Sequence, residues 1–361
     1  MEKRMTKYIL ITSLVVITML GFNCKKNPVI PPLPPEGQDT TSHNWVFTID
    51  TLGDGNGSTL KDVAIISTNP QLVYAVGDIE LRDSTGQFEQ KPYSLVQWNG
   101  LKWNFTLLKF FPPGSIGDSL NAIGNAVFAN DPNDIWMTAG ALFHWVGSRW
   151  DIYYNTGAEG GTKIWCEGNE NCWVVGNSGT IIRYTNGSWQ KLQSGVNEDI
   201  QDIWGYKNTF GQTTILSISS TLYYGGTENL LSITGNTATK ISTNGLPWSI
   251  RGLWFDNKGY YIVGDGMYYK KSLQDTVWQS IQKGITTNYV EAIRGNAWND
   301  IFAVGDFGTV LHYNGSTWYN FTQQLNIPNC VFHSVSIKDN LVVAVGTLGG
   351  DRAVAVVGVR K

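Results

Sequence analysis

One pattern recurs along the chain: a short run of apolar residues closed by a glycine. It reads QLVYAVGDIE at 71–80, NDIWMTAGAL at 133–142, NCWVVGNSGT at 171–180, GYYIVGDGMY at 259–268, NDIFAVGDFGT at 299–309 and NLVVAVGTLG at 340–349. The copies follow one another at about 40 residues, the period of propeller and solenoid repeats. One interval is about twice as long, and TILSISSTLYYGG (214–226) fills it as a degenerate copy, which makes seven. Apolar runs rich in Val, Ile and aromatics, bounded by Gly, Asn and Asp, predict strands. The absence of a 3.6-residue period excludes a helical solenoid.

The best-preserved copy shows the content of a unit. AIRG (292–295) starts one strand, DIFAVG (300–305) is a second, TVLHY (309–313) a third and TWYNF (317–321) a fourth. Asn314-Gly315 separates the last two and recurs as Asn99-Gly100 and Asn186-Gly187. This predicts two-residue type I′ hairpins, whose central residues both need positive φ. Four short antiparallel strands per unit predict an all-β fold, a single seven-bladed β-propeller. The seventh unit ends at AVAVVGV (353–359) and lacks a fourth strand. HNWVFTID (43–50) matches the missing piece, its Trp45 aligning with Trp103, Trp150, Trp189, Trp278 and Trp318. The N-terminal strand is therefore expected to close the last blade and protect the sheet edges.

Composition fits this reading. The 361 residues include 40 Gly, 15 Trp, 16 Tyr and 14 Phe, and 15% are charged against about 25% in an average domain. A formal net charge of −3 with no basic stripe gives no pull toward nucleic acid.

The start of the chain reads as an address. A basic MEKRMTK precedes YILITSLVVITML (8–20), too short to span a bilayer but suited to the apolar core of a signal peptide. GFNC ends at Cys24 and resembles a bacterial lipoprotein signal, which would leave Cys24 acylated. Leu20 lies one residue further from the cysteine than in the usual signal, and plain secretion with cleavage near 21–23 is the alternative. KKNPVIPPLPPEGQDTTS (25–42) favours extended polyproline II and acts as a spacer. The expected organisation is a signal peptide over 1–23, a lipid-anchored linker over 24–42 and a propeller over 43–361. Lys25 follows the cysteine where an inner-membrane retention signal would place Asp, so outer-membrane attachment is expected.

The motif D-I-[WF]-A-V-G-x-x-G-T-[IV]-x-x-Y-N-G-S-W resembles bacterial BNR and photosystem-assembly-factor-like propellers, over residues 44–361. Within these it resembles Gram-negative propeller lipoproteins, some labelled glucosyltransferase. The resemblance implies the fold and an envelope location, while propellers host many unrelated tasks. It supplies no catalytic residue and no cofactor. Two functions stay open: a non-catalytic module binding a protein or glycan, and a carbohydrate-active enzyme with its site on the axial channel. Asp-x-Asp, G-x-S-x-G, P-loop and G-x-G-x-x-G motifs are absent from the sequence. Paired carboxylates for glycoside hydrolysis need only meet in space.

Several residues invite chemistry. Asp306-Phe307-Gly308 matches the magnesium tripeptide of kinases, but no partner motif accompanies it, and Asp78, Asn177 and Asp265 fill the same turn slot. His144 and His312 occupy a slot that holds Gln97 and Arg183 in other units, which suggests a partly exposed strand position. His43 and His333 lack companions at metal-ligand spacing. DGNGSTLKD (54–62) echoes a calcium loop but carries Thr59 and Ile65 where Gly and Glu are required, and reads as a flexible loop. Cys166 and Cys172 fall on facing strands of one hairpin, a placement that allows a disulfide after export, with Cys330 left free and buried.

Irregularity points further. The stretches 78–94 and 108–121 break the repeat and emerge on one face of a propeller, where long loops carry function. Phe88, Tyr93, Phe110 and Phe111 would stack there on a sugar or peptide, or cover the neighbouring blade edge. Trp165, Trp204 and Trp254, with Arg294 in the matching slot, either line the axial channel or pack between blades.

Overall fold

The computed structural model describes residues 39–361, apart from 111–119, 122, 159, 223 and 224. Cys24, most of the linker and Phe111 lie outside the described residues. The sequence repeat becomes seven four-stranded antiparallel sheets. Blade 1 contains Thr59–Thr68, Gln71–Ile79, Tyr93–Trp98 and Trp103–Thr106; blade 6 contains Val290–Ala297, Asp300–Gly305, Val310–Tyr313 and Trp318–Asn320. The first strands of blades 2 to 5 are Ala126–Asp131, Gly161–Cys166, Ile200–Lys207 and Ile250–Phe255. Blade 7 contains Cys330–Lys338, Leu341–Leu348 and Arg352–Arg360, and its outer strand is Trp45–Leu52 from the start of the chain. The first strand of every blade packs on the first strands of both neighbours in an unbroken cycle, which makes these strands the wall of the axial channel.

Closure is extensive. Register partners run from Trp45↔Arg360 to Leu52↔Ala353. Trp45 is buried, meets the Phe302 ring edge-on at 5.0 Å and lies 4.6 Å below the Arg360 guanidinium. Residues just before it strap across blade 6: Thr41 Oγ1 donates to the Asn299 carbonyl at 2.6 Å, and Asn299 Nδ2 donates to the Asp39 carbonyl at 3.0 Å.

Blades interlock through rings set over glycines. A Cβ on Gly205 of blade 4 would lie 2.3 Å from the Trp165 ring of blade 3, and one on Gly295 of blade 6 would lie 2.8 Å from the Trp254 ring of blade 5. Both tryptophans are thus packed between blades. Trp204 meets bulky Phe255 instead of glycine; it donates Nε1–H to the Phe255 carbonyl at 3.2 Å and stays half-buried beside the channel.

Three expectations need correction. Only Asn186-Gly187 forms the two-residue turn, with φ of 48° and 77° between partners Thr185 and Ser188. Asn99-Gly100 and Asn314-Gly315 open four-residue loops, closed by Trp98↔Trp103 and Tyr313↔Trp318. There the asparagine Oδ1 caps the turn, accepting from the N–H groups of Leu101 and Lys102, or of Ser316 and Thr317. The histidine slot is also not exposed. His144 and His312 are buried, each bonded through Nε2 to an aspartate that opens the second strand, Asp134 at 2.7 Å and Asp300 at 2.9 Å. In blade 3 the same pair is Asn171 with Arg183. Finally, 54–62 is not a free loop: a strand begins at Thr59, and Asp62 is buried.

If the glycine seats hold the ring together, Gly205→Ala should lower stability by about 1–3 kcal/mol through overpacking. Urea unfolding measures it; an unchanged midpoint would mean that Trp165 does not sit on blade 4.

Candidate functional site

A β-bulge interrupts six of the seven first strands at one level. The extra residue is Lys61, Thr162, Gln201, Arg251, Glu291 or His333 in blades 1, 3, 4, 5, 6 and 7. Asn125 takes the place in blade 2, its N–H donating to the Thr138 carbonyl just before the strand. A bulge turns its extra side chain out of the ladder. All seven line one cavity of about 560 Å³ at the axial mouth. The mouth opens on the face of the blade-to-blade connections and the turns between second and third strands, since Asn177 and Leu222 from such turns also line it.

The rim is a chain of hydrogen bonds. Arg251 donates Nε–H to Glu291 at 2.7 Å and Nη1–H to Gln201 Oε1 at 2.6 Å. Lys61 donates to Asn125 Oδ1 at 2.9 Å, and burial lowers its pKa against the opposing pull of Asp78. Thr162 Oγ1 donates to the Ile200 carbonyl at 2.7 Å. His333 shares a 3.1 Å hydrogen bond with Thr347 Oγ1. Burial, then the nearby charges of Arg251, Lys163 and Lys61, lower its pKa to about 4, so it is neutral at pH 7.

The floor is built from two ion pairs that cross the axis, each reaching two blades on. Lys163 Nζ lies 2.5 Å from Asp62 Oδ1, which also accepts from Ser334 Oγ at 2.6 Å. The Arg294 guanidinium holds both oxygens of Asp202, at 2.7 and 2.8 Å. Each aspartate also accepts a backbone N–H from the next blade, Val127 at 3.1 Å for Asp62 and Leu253 at 2.9 Å for Asp202. Burial works against the Arg294 charge, but Asp202 outweighs it, and the net pKa shift is upward. Arg294 covers the Trp204 ring at 5.1 Å. Lys163 lines both the mouth and a second cavity of about 200 Å³ beneath it, which Arg294 and Trp204 also line.

The expected site residues have other uses. Phe88 lies under the Arg82 guanidinium at 3.9 Å, within a loop that folds on itself through the Arg82↔Phe88 bridge. Tyr93 packs on Phe105 and donates its hydroxyl to Glu89 at 3.0 Å. Phe110 belongs to the small hairpin Lys109–Phe110 with Leu120–Asn121, and its side chain lies outside the description. Cys166 and Cys172 are register partners joined as a disulfide, Cα atoms 4.0 Å apart. Cys330 is free and buried, and burial pushes its thiol up to about 12. His43, which lacks a companion at metal-ligand spacing in the sequence, brings its Nδ1 atom to 2.8 Å from Nδ1 of His312. Among the described residues no three metal-ligating groups cluster. Phe307, central to the kinase-like tripeptide, is an exposed turn residue at φ 56° and ψ 33°.

Sequence reasoning missed the bulged ring. Its signal was there: the bulged residue always stands three positions before the slot of Trp165, Trp204, Trp254 and Arg294.

No family model matches the chain, and no curated protein matches it either. Solved structures do. YCF48 bound to D1 peptide superposes with a TM-score of 0.64 at 14% identity, covering 93% of this chain and 100% of that one. YCF48 from Cyanidioschyzon merolae gives 0.59 at 13%, covering 88% and 98%. Catalytically inactive virginiamycin B lyase from Staphylococcus aureus, with quinupristin, gives 0.55 at 11%, covering 86% and 99%. At such identities the likeness defines the class alone: this is a seven-bladed β-propeller. Since both a peptide complex and a lyase share the fold, function must be argued from the site.

Arg294→Met should leave Asp202 as an uncompensated buried charge and cost about 3–5 kcal/mol. Adding Asp202→Leu should recover most of that loss. Chemical denaturation of both variants checks it; a mild single variant would mean that the cross-axis pair does not brace the channel.

Proposed function

We propose that this protein is a non-catalytic binding module of the cell envelope that receives a segment of a protein partner in its axial mouth. The carrying observation is the convergence of seven side chains, one per blade and six of them on bulges, on a single cavity. Mixed donors and acceptors of this kind suit a peptide backbone, which offers both in alternation. None of the described residues lining the cavity is Trp, Tyr or Phe, so the stacking platform usual for a sugar is not supplied there. Asp202 and Glu291 are each committed to an arginine of the chain, which suits a scaffold better than proton transfer. The peptide-bound YCF48 of the same fold supports the reading. The lipoprotein-like GFNC and the Pro-rich spacer support attachment of the domain to the outer membrane through acylated Cys24.

Two experiments bear on this. Filling the mouth with Thr162→Trp should abolish capture of the partner in envelope pull-downs, whereas Phe210→Ser, in an exposed turn on the opposite face, should not. Equal capture by both variants would place the partner elsewhere. Labelling cells with radioactive palmitate should tag the wild type and not Cys24→Ala; an untagged wild type would remove the anchor from the account.

A further inference from the structure

The charges of the mouth are unevenly committed. Arg251 is held by Glu291, and Lys163 by Asp62. Among the described residues, Lys61 has the neutral amide of Asn125 as its one hydrogen-bonded partner. His333 stands on the blade 7 strand, between the blade 1 strand that carries Lys61 and the blade 6 strand that carries Glu291. Asp62 and Asp202 lie in the floor, bound to their own cations, and Asp199 at the rim accepts the Ser178 N–H at 2.8 Å. Asp78, across the ladder from Thr59, is the acid nearest Lys61 in effect, and burial raises its own pKa. Thr59 and Thr347 share a 2.6 Å hydrogen bond beside the His333 ring.

We propose that the mouth contains a subsite for a carboxylate, set against His333 and faced by Lys61, Lys163 and Arg251. All four residues line the same cavity, and the three cations lie close enough to His333 to act on its charge. The local field supports it: after burial, the nearby charges of Arg251, Lys163 and Lys61 depress the imidazolium. A carboxylate placed there would cancel that field and favour the protonated ring. The ring N–H gained would donate to the bound oxygen, and Lys61 Nζ–H supplies a second, charge-assisted bond. Binding is therefore coupled to proton uptake by His333, and the coupling grows as pH falls. Burial of the ring remains on occupancy, so a rise of one unit from about 4, through the charges alone, should make affinity at pH 5 about twice that at pH 7. The coupling rests on the mouth being the peptide site and identifies a peptide carboxylate as the group it grips.

Imidazole NMR of histidine-labelled full-length protein tests this, with His333→Gln assigning the signal. The probes are sodium acetate, an acetylated tetra-alanine with a free C-terminus and its C-terminal amide, each against sodium chloride of equal ionic strength. The expected result is a rise of the His333 pKa by at least one unit with acetate and with the peptide acid, but not with the amide. Lys61→Met should raise the carboxylate concentration needed for that shift about tenfold. No shift with any carboxylate, or an equal shift with the amide, would overturn the subsite. A shift with acetate alone would keep the subsite and count against the peptide reading. Binding of acid and amide alike without a His333 shift would keep that reading and remove the subsite.

Discussion

Eight residues from the start of the chain, Trp45–Leu52, pair along Arg352–Arg360 near its end, and the remaining architecture depends on that seam. A sheet ring leaves exposed edges unless its last blade is completed, and unpaired edges recruit other chains. Here the completing strand carries Trp45 into the interface between blades 6 and 7, so closure of the ring and packing of two blades are one event. The strap over residues 39–44 extends the seam across blade 6. His43 lies inside it against His312, and burial, then His312 and Arg360, lower its pKa to about 4. The seam is thus built around a neutral imidazole at pH 7.

With the ring closed, the first strands face one another across a narrow axis, and polar groups there need internal partners. Asp62 and Asp202 solve this in the same way. Each caps an N–H of its own strand and an N–H of the next blade, then takes a cation from two blades further on. These crossings brace the channel and turn its upper end into a shallow cup. The bulges just above them aim one side chain from each of six blades into the cup, and Asn125 completes it from blade 2. The mouth is therefore a product of ring geometry and bulge position together, which explains why its residues are chemically varied while their placement is regular.

Much of the fold was legible because a propeller writes its period into the chain. The apolar runs gave the second strands, the aligned tryptophans gave the outer strands, and the missing fourth strand of the last unit pointed to residues 43–50. Local polar chemistry was less legible. Asn-Gly reads the same whether two or four residues close the hairpin, since the asparagine side chain can cap the longer loop. His312 looked partly exposed because Gln97 and Arg183 share its slot, yet an aspartate opening the second strand holds it, as one holds His144, and both histidines are buried. The site was hidden for a related reason. Lys61, Gln201 and Glu291 look like ordinary polar positions on a strand until a register shift turns them inward, and no single residue type marks a bulge.

The central claim is that this mouth contacts the partner. A photoreactive benzoylphenylalanine placed at Gln201, and another at Phe210 on the opposite face, tests it in intact cells. The account predicts an ultraviolet-dependent crosslink to one protein from position 201 and none from 210. A crosslink from 210 with none from 201 would contradict it.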